Sequence, residues 1–166
     1  MKTNILFSIL FSAIFVSVIL IGCKQDQTIV DVNEKEIAEK IIAMEKTALN
    51  RWGKGDPWGY LEIFAPEVTY YNPFESARID GLDAMKKYYG DQAGQIFIDK
   101  YDMTNIKVQV HGNIAILSYN LFNYKKQSDA AFKETTRWNS TKVYCLTDGN
   151  WKIIHNHWSF LQPEVK

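Results

Sequence analysis

Ile106-Lys107-Val108-Gln109-Val110-His111-Gly112-Asn113-Ile114 decides the fold class. Apolar and polar residues alternate up to a His-Gly-Asn turn and the chain then resumes, which is the period of a strand entering a hairpin. Downstream, 114–124, 132–146 and 151–160 read as three more long strands, the last two joined by Thr147-Asp148-Gly149-Asn150. Upstream the period is helical. Asn33 and Glu36 form a capping box before Ile37, Ile41, Met44 and Ala48, and that helix stops near Gly53. Asp56-Pro57 opens a short helix carrying Tyr60, Leu61 and Phe64 until Pro66. Val68–Tyr71 is a strand closed by Asn72-Pro73, a brief strand follows near Ala77–Ile79, and Leu82–Tyr89 is a third helix. Helices followed by a meander of antiparallel strands predict an α+β layer fold.

The N-terminus is of another kind. Seventeen consecutive Ile, Leu, Phe, Val, Ala and Ser residues span 5–21 after Lys2, and Leu20-Ile21-Gly22-Cys23 ends them. A positive start, an apolar middle and a small residue before the cut describe an export signal. The junction resembles the lipobox of bacterial lipoproteins. That resemblance implies cleavage before Cys23, a diacylglycerol on its thiol, and an acyl chain on its amine, which together anchor a domain firmly. The alternative is an uncleaved membrane anchor. Lys24 is not the Asp that retains enterobacterial lipoproteins in the inner membrane, so the resemblance favours the outer membrane. The expected organisation is a signal peptide over 1–22, a tether over 23–33 and one domain over 34–162.

Lys plus Arg and Asp plus Glu both number 19. Removing residues 1–22 takes away only Lys2, so the remainder carries 18 − 19 = −1. Such a balance argues against a polybasic nucleic-acid binder, and no nucleic-acid partner is expected. Beyond Cys23 the only thiol is Cys145, so no internal disulfide holds the exported domain. Cys145 reads as a buried structural residue of a strand. Gly53-Lys54-Gly55-Asp56 lacks the spacing of a phosphate loop, and no cofactor is expected.

Both faces of the sheet carry apolar residues, more than three helices can cover. Trp138, Tyr144, Ile154, Trp158 and Phe160 are assigned to an outer face, which predicts a homodimer through that face. Arg137, Asn139 and Thr141 then fall on the helix-facing side, as do His155 and His157 if the two-residue period of Trp151 and Ile153 continues. With Tyr71 and Tyr119 they form the expected pocket for a small polar or anionic ligand. Arg137 suits an anionic oxygen, His155 or His157 suits proton transfer near neutral pH, and Tyr71 can donate to an oxyanion. The histidines can equally be structural. A two-histidine metal centre lacks an identifiable third ligand, so no metal is expected. Trp52, Trp58 and Tyr88-Tyr89 read as packing.

Two segments carry a family resemblance. Leu61-Glu62-Ile63-Phe64-Ala65-Pro66-Glu67-Val68-Thr69-Tyr70-Tyr71-Asn72-Pro73, with Ile79-Asp80-Gly81-Leu82-Asp83-Ala84-Met85 and Tyr88-Tyr89, resembles SnoaL-like members of the nuclear-transport-factor-2-like superfamily. Thr147–Ser159 adds a resemblance to the calcium/calmodulin-dependent kinase II association domain and its stand-alone bacterial relatives. The resemblance implies a cone-shaped, cystatin-like fold, with a curved antiparallel sheet wrapped around helices. In ketosteroid isomerases an Asp base precedes the matching Pro, where this chain has Asn72. Their oxyanion-hole Tyr and Asp fall near Glu45 and near Thr141 or Lys142, so steroid isomerisation is not implied. SnoaL-type cyclases use an Asp where this chain offers His155 or His157. The expectation is a lipid-anchored, non-catalytic or ligand-binding domain. The alternative is an isomerase, lyase or cyclase with His157 or His155 as acid/base and Arg137 stabilising the oxyanion.

Overall fold

The computed structural model describes residues 27–162. The lipobox and Cys23 lie outside the described residues. α1 spans Gln27–Trp52, α2 Trp58–Leu61 and α3 Leu82–Gly90. The strands are β1 Phe64–Tyr71, β2 Ile79–Asp80, β3 Lys100–His111, β4 Ile114–Lys126, β5 Phe132–Thr147 and β6 Asn150–Phe160. They form one curved sheet in the order β2-β1-β6-β5-β4-β3. Every junction is antiparallel except β1–β6, which is parallel. Among the described residues, no helix is long and apolar enough to cross a membrane.

Two boundaries differ from the sequence reading. α1 is already helical at Gln27, so Asn33 lies inside the helix and does not cap it. Phe64, Ala65 and Pro66 belong to β1 and not to the short helix. Asp56 does cap α2: its Oδ1 accepts the Trp58 N–H at 2.9 Å. The tight contact of α2 with α1 requires Gly59, because a Cβ there would stand 2.8 Å from Arg51 Cβ.

α1 buries the stripe Ile41, Glu45, Ala48 and Leu49 against β3 and β4, while α3 turns Met85 and Tyr89 to β1. The inner face of the sheet contributes Val68, Ala115, Leu117 and Ile153, each with 4% or less exposed. Complete burial of a side chain such as Leu117 or Ile153 contributes about 1.5–3 kcal/mol.

Bulges set the curvature, and one of them reassigns a face. Val143 pairs with His155 and Tyr144 with Ile153, so Ile154 is an extra residue in β6. Before it, Trp151 and Ile153 point inward. After it the phase reverses, and Asn156 becomes fully buried while His157 is exposed. On β5 the inward row is Trp138, Ser140, Lys142 and Tyr144. The outer face assumed for the dimer is therefore corrected. Tyr144 is fully buried, and Trp138 and Trp158 pack on the core beneath the helices. Cys145 is half-exposed, on the opposite face from Tyr144.

Candidate functional site

A cavity of about 300 Å³ opens between the helices and the inner face of the sheet. α1 contributes Trp52, α2 Tyr60 and α3 Tyr88 and Tyr89, while β5 and β6 contribute Trp138 and Trp158. The rings brace one another. Trp52 lies 4.6 Å from Tyr89 between centroids, Trp138 lies 6.0 Å from Trp158, and Phe74 lies 5.8 Å from Trp138. Ile96, Phe97 and Ile98 line the cavity from the segment after α3. This volume sits at the small end of ligand pockets, roughly 300–1,000 Å³.

Two amides interrupt the apolar wall. Asn72 is 7% exposed, and its Oδ1 accepts the Phe74 N–H at 2.8 Å. That bond fixes the orientation of the amide and leaves the buried Nδ2 without a protein acceptor among the described residues. Asn123, 9% exposed, donates from Nδ2 to Thr136 Oγ1 at 3.1 Å and has an unpartnered Oδ1. Thr136 Oγ1 also accepts the Trp138 Nε1–H at 3.0 Å, which positions that ring. A buried polar atom without a partner costs about 1–3 kcal/mol, and both of these atoms are closed to solvent contact.

Adjoining the cavity is a sealed polar cluster. Glu45 and Lys142 are both fully buried. Glu45 Oε1 accepts Tyr60 Oη at 2.7 Å and Tyr119 Oη at 2.5 Å, and Oε2 accepts Tyr144 Oη at 3.0 Å. Lys142 Nζ lies 3.4 Å from Glu45 Oε1, donates to Asn156 Oδ1 at 2.9 Å, and sits 4.3 Å from the Trp158 ring centroid. Desolvation, partly offset by Glu45, lowers the Lys142 pKa to about 8. Burial first, then the charge of Glu45, holds the Tyr60, Tyr119 and Tyr144 hydroxyls well above their usual range. The Lys142 cation is thus shielded from the cavity by the Tyr60 and Trp158 rings, which do line it.

The residues expected to line a pocket lie elsewhere. Tyr71, His155 and His157 do come together: the Tyr71 ring centroid is 6.2 Å from His155 and 6.0 Å from His157. They meet on the outer face, away from the cavity wall, because the Ile154 bulge turns the histidines over. Thr69 Oγ1 lies 2.8 Å from His155 Nδ1, and the His155 pKa is lowered by burial and then by the charges of His157 and Arg78. Arg137 is not with them. Its backbone carbonyl meets the Leu161 N–H, four residues beyond His157 and therefore about 13 Å along the strand. Its guanidinium pairs with Glu134 and lies 5.7 Å from the Phe122 centroid. Tyr119 points inward, but to Glu45 and not to the cavity surface. Sequence pattern alone gives no signal for Asn123 as a lining residue and reads Trp52, Tyr88 and Tyr89 as packing, although all four line the cavity. Among the described residues, no group of three or more His, Cys, Asp or Glu is placed to hold a metal.

A curved sheet wrapped around helices with a pocket at its open end defines a cone-fold protein of the nuclear-transport-factor-2-like superfamily. Within it, the chain belongs to the calcium/calmodulin dependent protein kinase II association domain family, whose profile matches residues 34–162. Among solved structures it is similar to a Parabacteroides distasonis protein provisionally assigned as a ketosteroid isomerase. Identity is 38%, covering 76% of this chain and 89% of that one, with a TM-score of 0.66. It is also similar to the association domain of C. elegans calcium/calmodulin-dependent kinase II, at 19% identity over 76% of this chain and 98% of that one, with a TM-score of 0.65. An NTF2-like protein of unknown function from Pseudomonas putida shares 16% identity over 78% of this chain and 90% of that one, with a TM-score of 0.65. No curated protein matches the chain.

Proposed function

We propose that the chain is a small-molecule-binding domain held at a membrane by a lipid on Cys23, with the aromatic cavity as its binding site. The observation that carries the reading is the preformed cavity of about 300 Å³ walled by Trp52, Tyr60, Tyr88, Tyr89, Trp138 and Trp158. Rigid aromatic walls offer a large contact area with little conformational entropy to lose on binding. The site differs from the one expected from sequence. Arg137 is outside the cavity, which removes the argument for an anionic ligand.

Non-catalytic binding fits these residues better than turnover. The His155, His157 and Arg137 set lies on the outer face, away from the cavity, and Asn72 stands where the isomerase resemblance would need a carboxylate base. Amides do not accept a proton near neutral pH. Glu45, the nearest buried carboxylate, is occupied by three tyrosine hydroxyls and Lys142. The relative assigned as an isomerase keeps an enzymatic reading in view, and a steroid-isomerase assay of the full-length chain discriminates: activity above the buffer rate would displace the binding reading.

The reading extends to self-association, since related structures are association and hub domains. The surface for it is the true outer face, where Ile116, Phe122 and Val143 are only half-buried. The binding test is titration of the full-length chain in detergent with one- and two-ring aromatic compounds, read by tryptophan fluorescence. Saturable quenching that Leu121→Trp abolishes by filling the cavity floor is expected. Equal quenching in wild type and variant would refute the site.

A further inference from the structure

The outer face holds a pair of imidazoles that the cavity does not use. We infer that His155 and His157 form a chelating site for one divalent late first-row transition-metal ion, copper(II) binding tightest, with water completing the coordination.

The spacing comes from β6. After the Ile154 bulge the strand runs on in register, with Thr69, Tyr70 and Tyr71 of β1 opposite His155, Asn156 and His157. Asn156 points inward and is fully buried, so the two histidines share the outer face, about 6.6 Å apart along the strand. Imidazoles at that spacing can turn one nitrogen each onto a single ion. The Tyr71 ring walls the pair on one side, with centroids 6.2 Å and 6.0 Å away.

A second observation lies behind His155. Thr69 Oγ1 is 2.8 Å from His155 Nδ1 and 3.4 Å from the Ile154 carbonyl oxygen. When Nε2 binds a metal, Nδ1 carries the ring proton and donates it to Thr69 Oγ1, whose own hydrogen turns to the Ile154 carbonyl. An acceptor in that place orients a metal-bound imidazole and raises its basicity as a ligand. Nε2 of His155 and both ring nitrogens of His157 have no hydrogen-bond partner among the described residues. The neighbouring cation, Arg78, is matched by Asp80, whose Oδ2 accepts its Nη2–H at 3.0 Å.

The class of metal follows from the donors. Imidazole suits copper, zinc and nickel, while magnesium and calcium take oxygen ligands, and among divalent first-row ions copper(II) binds a given nitrogen site tightest. No third His, Cys, Asp or Glu among the described residues is placed to join the pair. The sequence expectation of no metal rested on that missing ligand; two protein nitrogens make an open site whose other positions belong to water.

The test titrates copper(II) into the full-length chain in detergent against a chromophoric chelator, and counts the bound imidazoles by pulsed electron paramagnetic resonance. One ion per chain with two imidazoles is expected. His157→Ala should weaken binding at least about tenfold and leave one imidazole, because the second tooth of the chelate is gone. His157 is exposed, so that variant should melt with wild type when no metal is present. Thr69→Val should weaken binding about tenfold with both imidazoles retained. His111→Ala and Cys145→Ser, which remove other accessible donors, should change neither affinity nor signal. Zinc(II) should displace copper(II) only in excess, and magnesium not at all. Wild-type affinity in His157→Ala would overturn the inference, as would loss of the copper signal in His111→Ala or Cys145→Ser. A wild-type spectrum with fewer than two imidazoles would overturn it as well.

Discussion

Lys142 should give the protein an unusual alkaline stability profile. Its ammonium is fully buried and its pKa is lowered to about 8 from 10.5, chiefly by desolvation. In the unfolded chain the group regains its ordinary value near 10.4. Between these pH values the unfolded state holds a proton that the folded state has released, so stability rises with pH across that window. Below about pH 8 the penalty for the buried charge is fully present. Stability climbs by about 1.4 kcal/mol for each pH unit inside the window, so the rise from pH 8 to 10 amounts to about 2–3 kcal/mol. For a domain of this size that is roughly 10 °C in melting temperature. Above about pH 10 the sign reverses. Tyr60, Tyr119 and Tyr144 are held protonated in the fold by burial and by Glu45, while their unfolded counterparts ionise. The assay is thermal unfolding of the full-length chain by circular dichroism from pH 7 to 11, beside Lys142→Met. Wild type should show a maximum near pH 10, and the variant should lack the rise between 8 and 10. A wild-type profile without that rise, or the same rise in Lys142→Met, would refute the assignment of a strained buried cation.

Three further outcomes follow from other parts of the molecule. Gly59→Val should force α2 away from Arg51 and Ala48 of α1, costing about 1–3 kcal/mol and lowering the melting temperature accordingly. Arg137→Ala should leave affinity for aromatic probes within about twofold of wild type, because the side chain is on the outer face; a tenfold loss in titration would return Arg137 to the site. Cys23→Ser should abolish incorporation of labelled palmitate and leave unprocessed precursor, and wild-type protein that takes up no label would remove the lipid anchor from the account.

The element order is legible in the sequence because most strands keep a clean two-residue period and α1 a clean helical one. β4 is the clearest case: Ala115, Leu117, Tyr119 and Leu121 alternate with half-buried neighbours along its length. The face assignment fails where local register departs from periodicity. Ile154 looks like one more apolar strand residue, yet as a bulge it sends His155 and His157 outward and brings Asn156 in to meet Lys142. On β5 the row Trp138, Ser140, Lys142 and Tyr144 looks amphipathic in sequence, and its lysine suggests solvent. Its tolerance for the core depends on Glu45 from a distant helix. That carboxylate does leave a signal, since Ile41, Glu45 and Leu49 share one helical stripe in which a charge has no reason to sit unless it is paired. Asn72 stands in sequence where the isomerase resemblance needs a base, and in the fold its amide oxygen instead accepts the Phe74 N–H. The parallel β1–β6 junction has no local signature at all.

The proposed ligand position lies between the helices and the inner sheet face, not beside the histidines. A crystal structure of the full-length chain soaked with 4-bromoacetophenone, phased on bromine, tests it most directly. The expected result is an anomalous peak inside the cavity near Trp52, Trp138 and Trp158. A peak on the outer face beside Tyr71, His155 and His157, with the cavity holding none, would contradict it.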